Sequence, residues 1–272
     1  MQNITNPLAD LHIHSLNSTD GYNSVDELVQ AAILKSLSVV AITDHCECHA
    51  YLETNAPTLM KKSFEDALAA KEKYSEQILV TTGIELGQPN QDKAAAKTAL
   101  SAHNYDFVLA SLHNSSNAYD YYYFDYQNPK ICLNSLLDQY FTELLEIAQN
   151  ADYDSLAHLT YPVRYMGKKL EEIDFAQHVK LIDEILSTLV KRKKSLEINL
   201  STIRKGHGWP SPHFELIKRF YDLDGKYITL GSDAHRADEV GTHLTDGIDI
   251  LKKIGFSGVT YYLSRKPHLI NF

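Results

Sequence analysis

The chain has 272 residues, 44% of them hydrophobic and 22% charged, which excludes disordered, collagen-like and coiled-coil classes and leaves an ordinary globular protein long enough to bury a full core. Its formal net charge is −9, from 35 Asp and Glu against 26 Lys and Arg, and this argues against a nucleic-acid partner, which needs a basic face. The unusual count is 13 His, about twice the ordinary share, and an excess of the commonest metal ligand points to a site.

Taken in order, Leu8–His14 reads as a first strand, and Ser24–Ser36 as a helix whose Val25, Leu28, Val29, Ala32 and Ile33 form one core-facing stripe. Ser24 with Glu27 is a capping box at its start. Strand Ser38–Thr43 and helix Lys61–Ser75 come next, then strands Ile78–Glu85 and Phe107–Ser111, helix Leu133–Gln149 and strand Ser155–Leu159. Helix Asp174–Lys191, strand Ser195–Asn199, helix His213–Tyr221, strand Tyr227–Gly231, helix Asp238–Ile254 and an eighth run at Gly258–Tyr262 complete the series. Short strands alternating with longer amphipathic segments predict β/α units on a parallel sheet. With no Gly/Pro/Ser-rich linker and no composition shift, residues 1–272 read as one domain, a closed or distorted α/β barrel. A doubly wound open sheet is the alternative, but no G-x-G-x-x-G follows the first strand. No N-terminal stretch resembles a signal peptide, no apolar run approaches the about 18 residues that span a membrane, and three Cys make no disulfide framework. A cytoplasmic protein without a membrane partner is the expectation.

The chemistry-bearing residues sit at strand ends. Because side chains alternate along a strand, Asp10, His12 and His14 face one side. The second run ends Thr43-Asp44-His45 and the third Gly83-Ile84-Glu85, while His113, His158 and Asp233-Ala234-His235 follow or close later runs. In a β/α barrel those carboxyl ends converge on one face. A lone His there is most often a core or surface residue, but His-x-His with five further strand-terminal His, Asp or Glu positions is the inventory of a multinuclear imidazole-carboxylate metal site. Cys46-Glu47-Cys48-His49 resembles a thiolate site, yet four adjacent residues rarely wrap one tetrahedral ion. Lys191-Arg192-Lys193-Lys194 reads as a solvated helix end whose cations complement the dipole.

Together, His12/His14, Thr43-Asp44-His45, His113 and Asp233-Ala234-His235 resemble the motifs of the polymerase and histidinol phosphatase (PHP) superfamily, over nearly the whole chain. Ala157–Tyr165 and Glu197–Gly206 resemble the stand-alone histidinol-phosphate phosphatases of that superfamily in particular. The resemblance implies a distorted seven-stranded, TIM-like (β/α)7 barrel with two to three divalent transition metals, Zn, Fe, Mn or Co. Carried onto this sequence, His12, His14, Glu85 and Asp233 would hold a first ion. Glu85 would bridge to a second held by His113 and His158, and Asp20, His45 and His235 would hold a third. Asp20-Gly21 is otherwise only a turn signal.

The expected activity is phosphomonoester hydrolysis, with histidinol phosphate as the foremost substrate, by direct attack of a metal-bridging hydroxide. Asp233 or metal-bound water would protonate the leaving alkoxide. Arg164 and Arg204 follow strands by a few residues and offer planar forks for a phosphate dianion. Ser232 offers a further donor, and His207 lies close enough to Arg204 to touch substrate. Ala118–Tyr126 holds five Tyr and one Phe in nine residues and follows His113, so it reads as an aromatic lid or pocket wall, with Tyr122 against the substrate, or as plain loop packing. The alternatives are a superfamily phosphoesterase acting on a sugar phosphate, nucleotide or phosphotyrosine, and a metal-dependent amidohydrolase, which usually bridges its metals with a carbamylated Lys.

Overall fold

Strands buried on both faces need apolar side chains on both, and the fully buried runs Val39–Ile42, Phe107–Ser111 and Ile228–Gly231 have that character. The computed structural model describes residues 4, 6–116 and 119–272. Its elements are β1 (Ala9–Ile13), α1 (Val25–Leu34), β2 (Val39–Ile42), β3 (His45–Glu47), α2 (Ala56–Lys73), β4 (Leu79–Gly87), α3 (Lys93–Ala102), β5 (Phe107–Ser111) and α4 (Leu133–Asn150). There follow β6 (Ser155–Leu156), α5 (Val179–Arg192), β7 (Ser195–Asn199), α6 (Ser201–Arg204), α7 (Phe214–Asp222), β8 (Ile228–Gly231), α8 (Leu244–Ile254), β9 (Gly258–Leu263) and β10 (Lys266–Asn271). The parallel order is β1-β2-β4-β5-β6-β7-β8, with β3 added beside β4.

The ring closes where β1 meets the residues after β8: the His14 N–H donates to Ala234 O at 2.8 Å and the Asp233 N–H to His12 O at 2.9 Å. This is the distorted seven-stranded barrel expected from the sequence. At α1 the Ser24 hydroxyl accepts from the Glu27 N–H, and the Glu27 carboxylate accepts from the Ser24 N–H at 2.8 Å, which completes the expected box. Among the described residues no helix is long and apolar enough to cross a membrane.

Several elements depart from expectation for identifiable reasons. The chain leaves the sheet after Ile42 and re-enters as β3, so His45 pairs in register with Glu85 instead of ending β2. The run at Ser155–Leu159 stops at Leu156 because His158 turns into the left-handed region, with φ 23°. Helix α3 was unanticipated, since its apolar residues are alanines and one leucine; Asp92 caps it by accepting from the Ala95 N–H at 2.8 Å. The eighth run is β9, which pairs antiparallel with β10 in a separate hairpin. The basic end of α5 is only partly solvated, because Arg192 donates to Ala148 O and Ala151 O and Lys194 to Tyr153 O.

The β9–β10 hairpin packs at the amino-terminal end of the strands, opposite the site. Tyr262 stacks on Phe107 at 5.2 Å and hydrogen-bonds Ser195 Oγ at 2.8 Å. At the hairpin tip, Ser264 N–H donates to Asp106, and Arg265 pairs with Asp152 at 2.9 Å and with the nearly buried Asp154. Burial raises the Asp154 carboxyl above its ordinary range, and Arg265 opposes that rise. Removing Arg265 would raise it further, so the folded chain would bind a proton more tightly than the unfolded one. Arg265→Ala is expected to cost about 2–3 kcal/mol at neutral pH, less than for a fully buried pair because Arg265 is partly exposed. The deficit should narrow as pH falls through the raised Asp154 pKa. Urea unfolding of both proteins across pH 4–8 measures it, and a pH-independent difference would refute the assignment.

Candidate metal centre

Strand geometry sets the floor of the site. His12 on β1 and His14 immediately after it point into the barrel mouth; Asp10 faces the same way one step deeper, where it accepts from Ser232 N–H and Gly241 N–H, both at 2.8 Å. Glu85 comes from β4, His45 from β3 beside it, His113 from the loop after β5, His158 from the turn after β6, and Asp233 and His235 from the segment after β8. Asp20 stands on the loop after β1. Asp44 fastens that loop by accepting from Ser15 N–H at 2.6 Å and from the hydroxyls of Ser15, Ser18 and Ser63 at 2.7, 2.8 and 2.6 Å. The middle residue of the Thr43-Asp44-His45 motif is therefore structural. Gly231 is required behind the site, since a β-carbon there would collide with the Glu197 carboxylate and the His12 side chain.

Glu85 is fully buried at the centre. Its Oε1 lies 3.1 Å from both His113 Nε2 and His158 Nε2, and its Oε2 lies 2.7, 3.4 and 3.6 Å from His45 Nδ1, His12 Nε2 and His14 Nε2. Asp233 Oδ1 is 3.6 Å from His14 and 3.9 Å from His12, and Asp20 reaches His235 at 3.0 Å and His45 at 3.6 Å. All nine residues expected as ligands thus converge.

Four triads have one ligand atom each within 4.8 Å of one another: His12, Glu85 and His158; His12, His14 and Asp233; His45, Glu85 and His113; His14, His45 and His235. Three of these cut across the three expected sets, so the cluster is one continuous basin of donors. Cys46 and Cys48 are buried outside every triad.

The donors fit divalent cations. His12 Nε2 and His14 Nε2 are buried without a hydrogen bond, a costly state for polar atoms that have no further partner. Burial, with His45 and His235 nearby, holds His14 down at about 3, so its imidazole is neutral and able to ligate. Burial works to lower His12, His45 and His113 as well, but Glu85 and the other carboxylates raise all three well above the ordinary value. Against burial, which would raise it, the histidines hold Glu85 well below the carboxylate range, and His12, His14, His235 and Arg164 do the same for Asp233. The basin therefore demands positive charge, and a cation supplies it without protonating the ligands.

Two carboxylates missed by the sequence reading orient the ligands. Glu197 Oε1 lies 2.6 Å from His12 Nδ1 while its Oε2 accepts from His158 N–H at 2.8 Å, and Glu47 Oε1 lies 2.9 Å from His113 Nδ1. Such partners fix the ring and leave the opposite nitrogen for metal. The signal for Glu197 was present in strand alternation, because Glu197 and Asn199 share a face of β7. Asn199 Nδ2 donates to Asp233 Oδ2 at 3.2 Å. Asp233 holds a left-handed φ of 53°, the kind of strain that a functional site retains.

Above the basin opens a cavity of about 700 Å³ whose wall includes Arg164, Arg204, Lys205, Tyr122, Tyr161 and Tyr165. Arg164 is buried; its Nη1 donates to Ser201 Oγ at 3.2 Å and to Asp233 Oδ2 at 3.3 Å, while its Nε and Nη2 have no partner. Arg204 reaches the same wall, but its guanidinium holds Ser232 O at 2.6 Å and Asp233 O at 3.1 Å and pairs with Glu239. Ser232 is fully buried and outside the cavity lining, as its neighbour Asp233 takes the inward position. His207 is exposed beside Trp209 and likewise outside the lining. Of the Tyr-rich run, Ala118 lies outside the described residues, while Tyr119, Tyr122 and Tyr123 line the rim and Tyr121 is buried in the core.

Residues 10–201 match the family model for the PHP domain. A probable histidinol-phosphatase of Thermotoga maritima is 28% identical over 249 residues, covering 92% of this chain and 93% of that one. The histidinol-phosphatase of Lactococcus lactis is 26% identical over 260 residues, covering 94% and 95%. Among solved structures, histidinol phosphate phosphatase from Lactococcus lactis complexed with zinc, L-histidinol and phosphate aligns with a TM-score of 0.82 at 25% identity, over 96% of this chain and 98% of that one.

If Glu197 sets the orientation of His12, Glu197→Ala should weaken metal binding by about 10- to 100-fold. Competition with a chromophoric chelator measures this, and an unchanged affinity would remove Glu197 from the centre.

Proposed function

The chain belongs to the PHP domain family, and from that premise we propose that it is a metal-dependent phosphomonoesterase that hydrolyses L-histidinol phosphate to L-histidinol and phosphate, as a cytoplasmic step of histidine biosynthesis. The observation that carries this reading is the pairing of two features: a buried basin of imidazoles and carboxylates, and directly above it a buried guanidinium with Nε and Nη2 unpartnered. The similar Lactococcus lactis enzyme, whose structure holds zinc, L-histidinol and phosphate, supports the choice of substrate.

His12, His14, Asp20, His45, Glu85, His113, His158, Asp233 and His235 would hold two to three divalent ions, of which Zn, Fe, Mn and Co suit such donors. Bound there, such ions would supply positive charge for phosphate oxygens and lower the pKa of water, which would address both difficulties of phosphomonoester hydrolysis.

The protein's own groups do the rest. Arg164 presents its two free N–H edges to the phosphate, and Asp233, Ser201 and the Tyr161 ring, 4.7 Å from the guanidinium, fix its plane. Arg204 holds the Ser232 and Asp233 carbonyls and so positions the Asp233 side chain. Asp233, ionised and accepting from Asn199, Ser201 and Arg164, acts as an acceptor. The tyrosines of the rim restrict water at the phosphate.

Metal-loaded protein should release phosphate from L-histidinol phosphate with a kcat/KM above those for sugar phosphates, nucleotides, phosphotyrosine and phosphodiesters. Chelation should abolish activity and metal should restore it. Arg164→Ala should lower kcat/KM by about 100-fold or more, as for loss of a preorganised donor to a developing anion. Equal rates across the panel would refute the substrate assignment, and an active Arg164→Ala would refute the phosphate site.

A further inference from the structure

The cavity has two chemically distinct walls. One carries Arg164, Arg204 and Lys205; the other is formed by the segment after β5, which His113 anchors through its carbonyl, accepting from Tyr121 N–H at 2.8 Å. Asp120 stands on this second wall. Its Oδ1 accepts from Tyr122 N–H at 2.7 Å and from the Tyr161 hydroxyl at 3.1 Å, so its position is built.

Every other carboxylate lining the cavity already has a basic partner. Asp20 faces His45 and His235; Glu47 faces His113; Glu85 faces five imidazoles; Asp233 faces Arg164; Glu239 faces Arg204. Among the described residues no Lys, Arg or His pairs with Asp120. It is flanked on the rim by the exposed rings of Tyr119, Tyr122 and Tyr123, and a carboxylate beside aromatic faces is a setting for an ammonium group. Tyr161 links the two walls, with the Arg164 guanidinium over its ring and its hydroxyl on Asp120. Anion and cation subsites are thus one tyrosine ring apart.

We infer that Asp120 is a specificity residue that receives the ammonium group of the substrate, so the site selects phosphomonoesters of amino alcohols. The inference rests on the proposed function: in L-histidinol phosphate the amine-bearing carbon adjoins the phosphorylated one. Arg164 takes the phosphate, Asp120 Oδ2 takes the ammonium, and the imidazole rests among the rim tyrosines.

The test compares L-histidinol phosphate with its desamino analogue, 3-(imidazol-4-yl)propyl phosphate, on metal-loaded wild type and Asp120→Asn. Asparagine keeps an acceptor for Tyr122 and Tyr161 and removes only the charge. Wild type should favour the amine by about 10- to 100-fold in kcat/KM, the range for a charged hydrogen bond, chiefly through KM. In Asp120→Asn that ratio should collapse towards one, and Asp120→Glu should restore part of it. A wild type active on both substrates without discrimination would overturn the inference alone. So would an Asp120→Asn that loses both activities equally, or neither. A wild type inactive on L-histidinol phosphate but active on other monoesters would overturn the proposed function, and this inference with it.

Discussion

The structure depends on one buried carboxylate. Glu85 has no solvent exposure, and taking an ion of that size out of water costs several kcal/mol unless opposite charge is supplied. The barrel meets that demand by bringing five imidazoles from different elements onto its two oxygens, His113 and His158 on one side and His12, His14 and His45 on the other. On the proposed function, this two-sided arrangement would offer donors to cations on either side of the carboxylate. It also explains why closure of the ring matters: the hydrogen bonds between β1 and residues 233–234 bring Asp233 and His235 beside His14.

From that centre the polar architecture proceeds outward in layers. Glu197 and Glu47 orient His12 and His113, Asn199 and Ser201 orient Asp233, and Asp44 ties down the loop that carries Asp20. Arg164 is held by the same Asp233 that faces His12 and His14, which would couple the proposed phosphate site above to the donor basin below. The formal charge of −9 therefore overstates the field at the mouth, because the acids of the basin are compensated in place and bound cations would reverse the local sign.

Much of the basin was legible in the sequence because strand alternation and barrel topology bring strand ends together whatever the loops do. His12, His14, His45, Glu85, His113, His158, Asp233 and His235 could be placed on that ground alone, and the family resemblance added Asp20. What escaped reading depends on partners far apart in the chain. Glu197 acts on His12 across 185 positions, and nothing near Arg204 signals that its guanidinium binds two backbone carbonyls. Ser232 shared a motif with Asp233 yet faces away from the cavity. Helix α3 lacked an apolar stripe of large residues. The eighth strand had the right local character, but only its pairing with β10 shows that it seals the opposite end of the barrel.

The central claim is that Glu85 serves as the shared ligand of a multinuclear centre, and metal content tests it most directly. Wild type and Glu85→Gln, reconstituted with excess zinc and freed of loose metal, would be compared by elemental analysis per folded chain. The account predicts that this single change removes more than one ion per chain, because both oxygens of Glu85 face ligand groups. A variant that retained the wild-type metal content would contradict it.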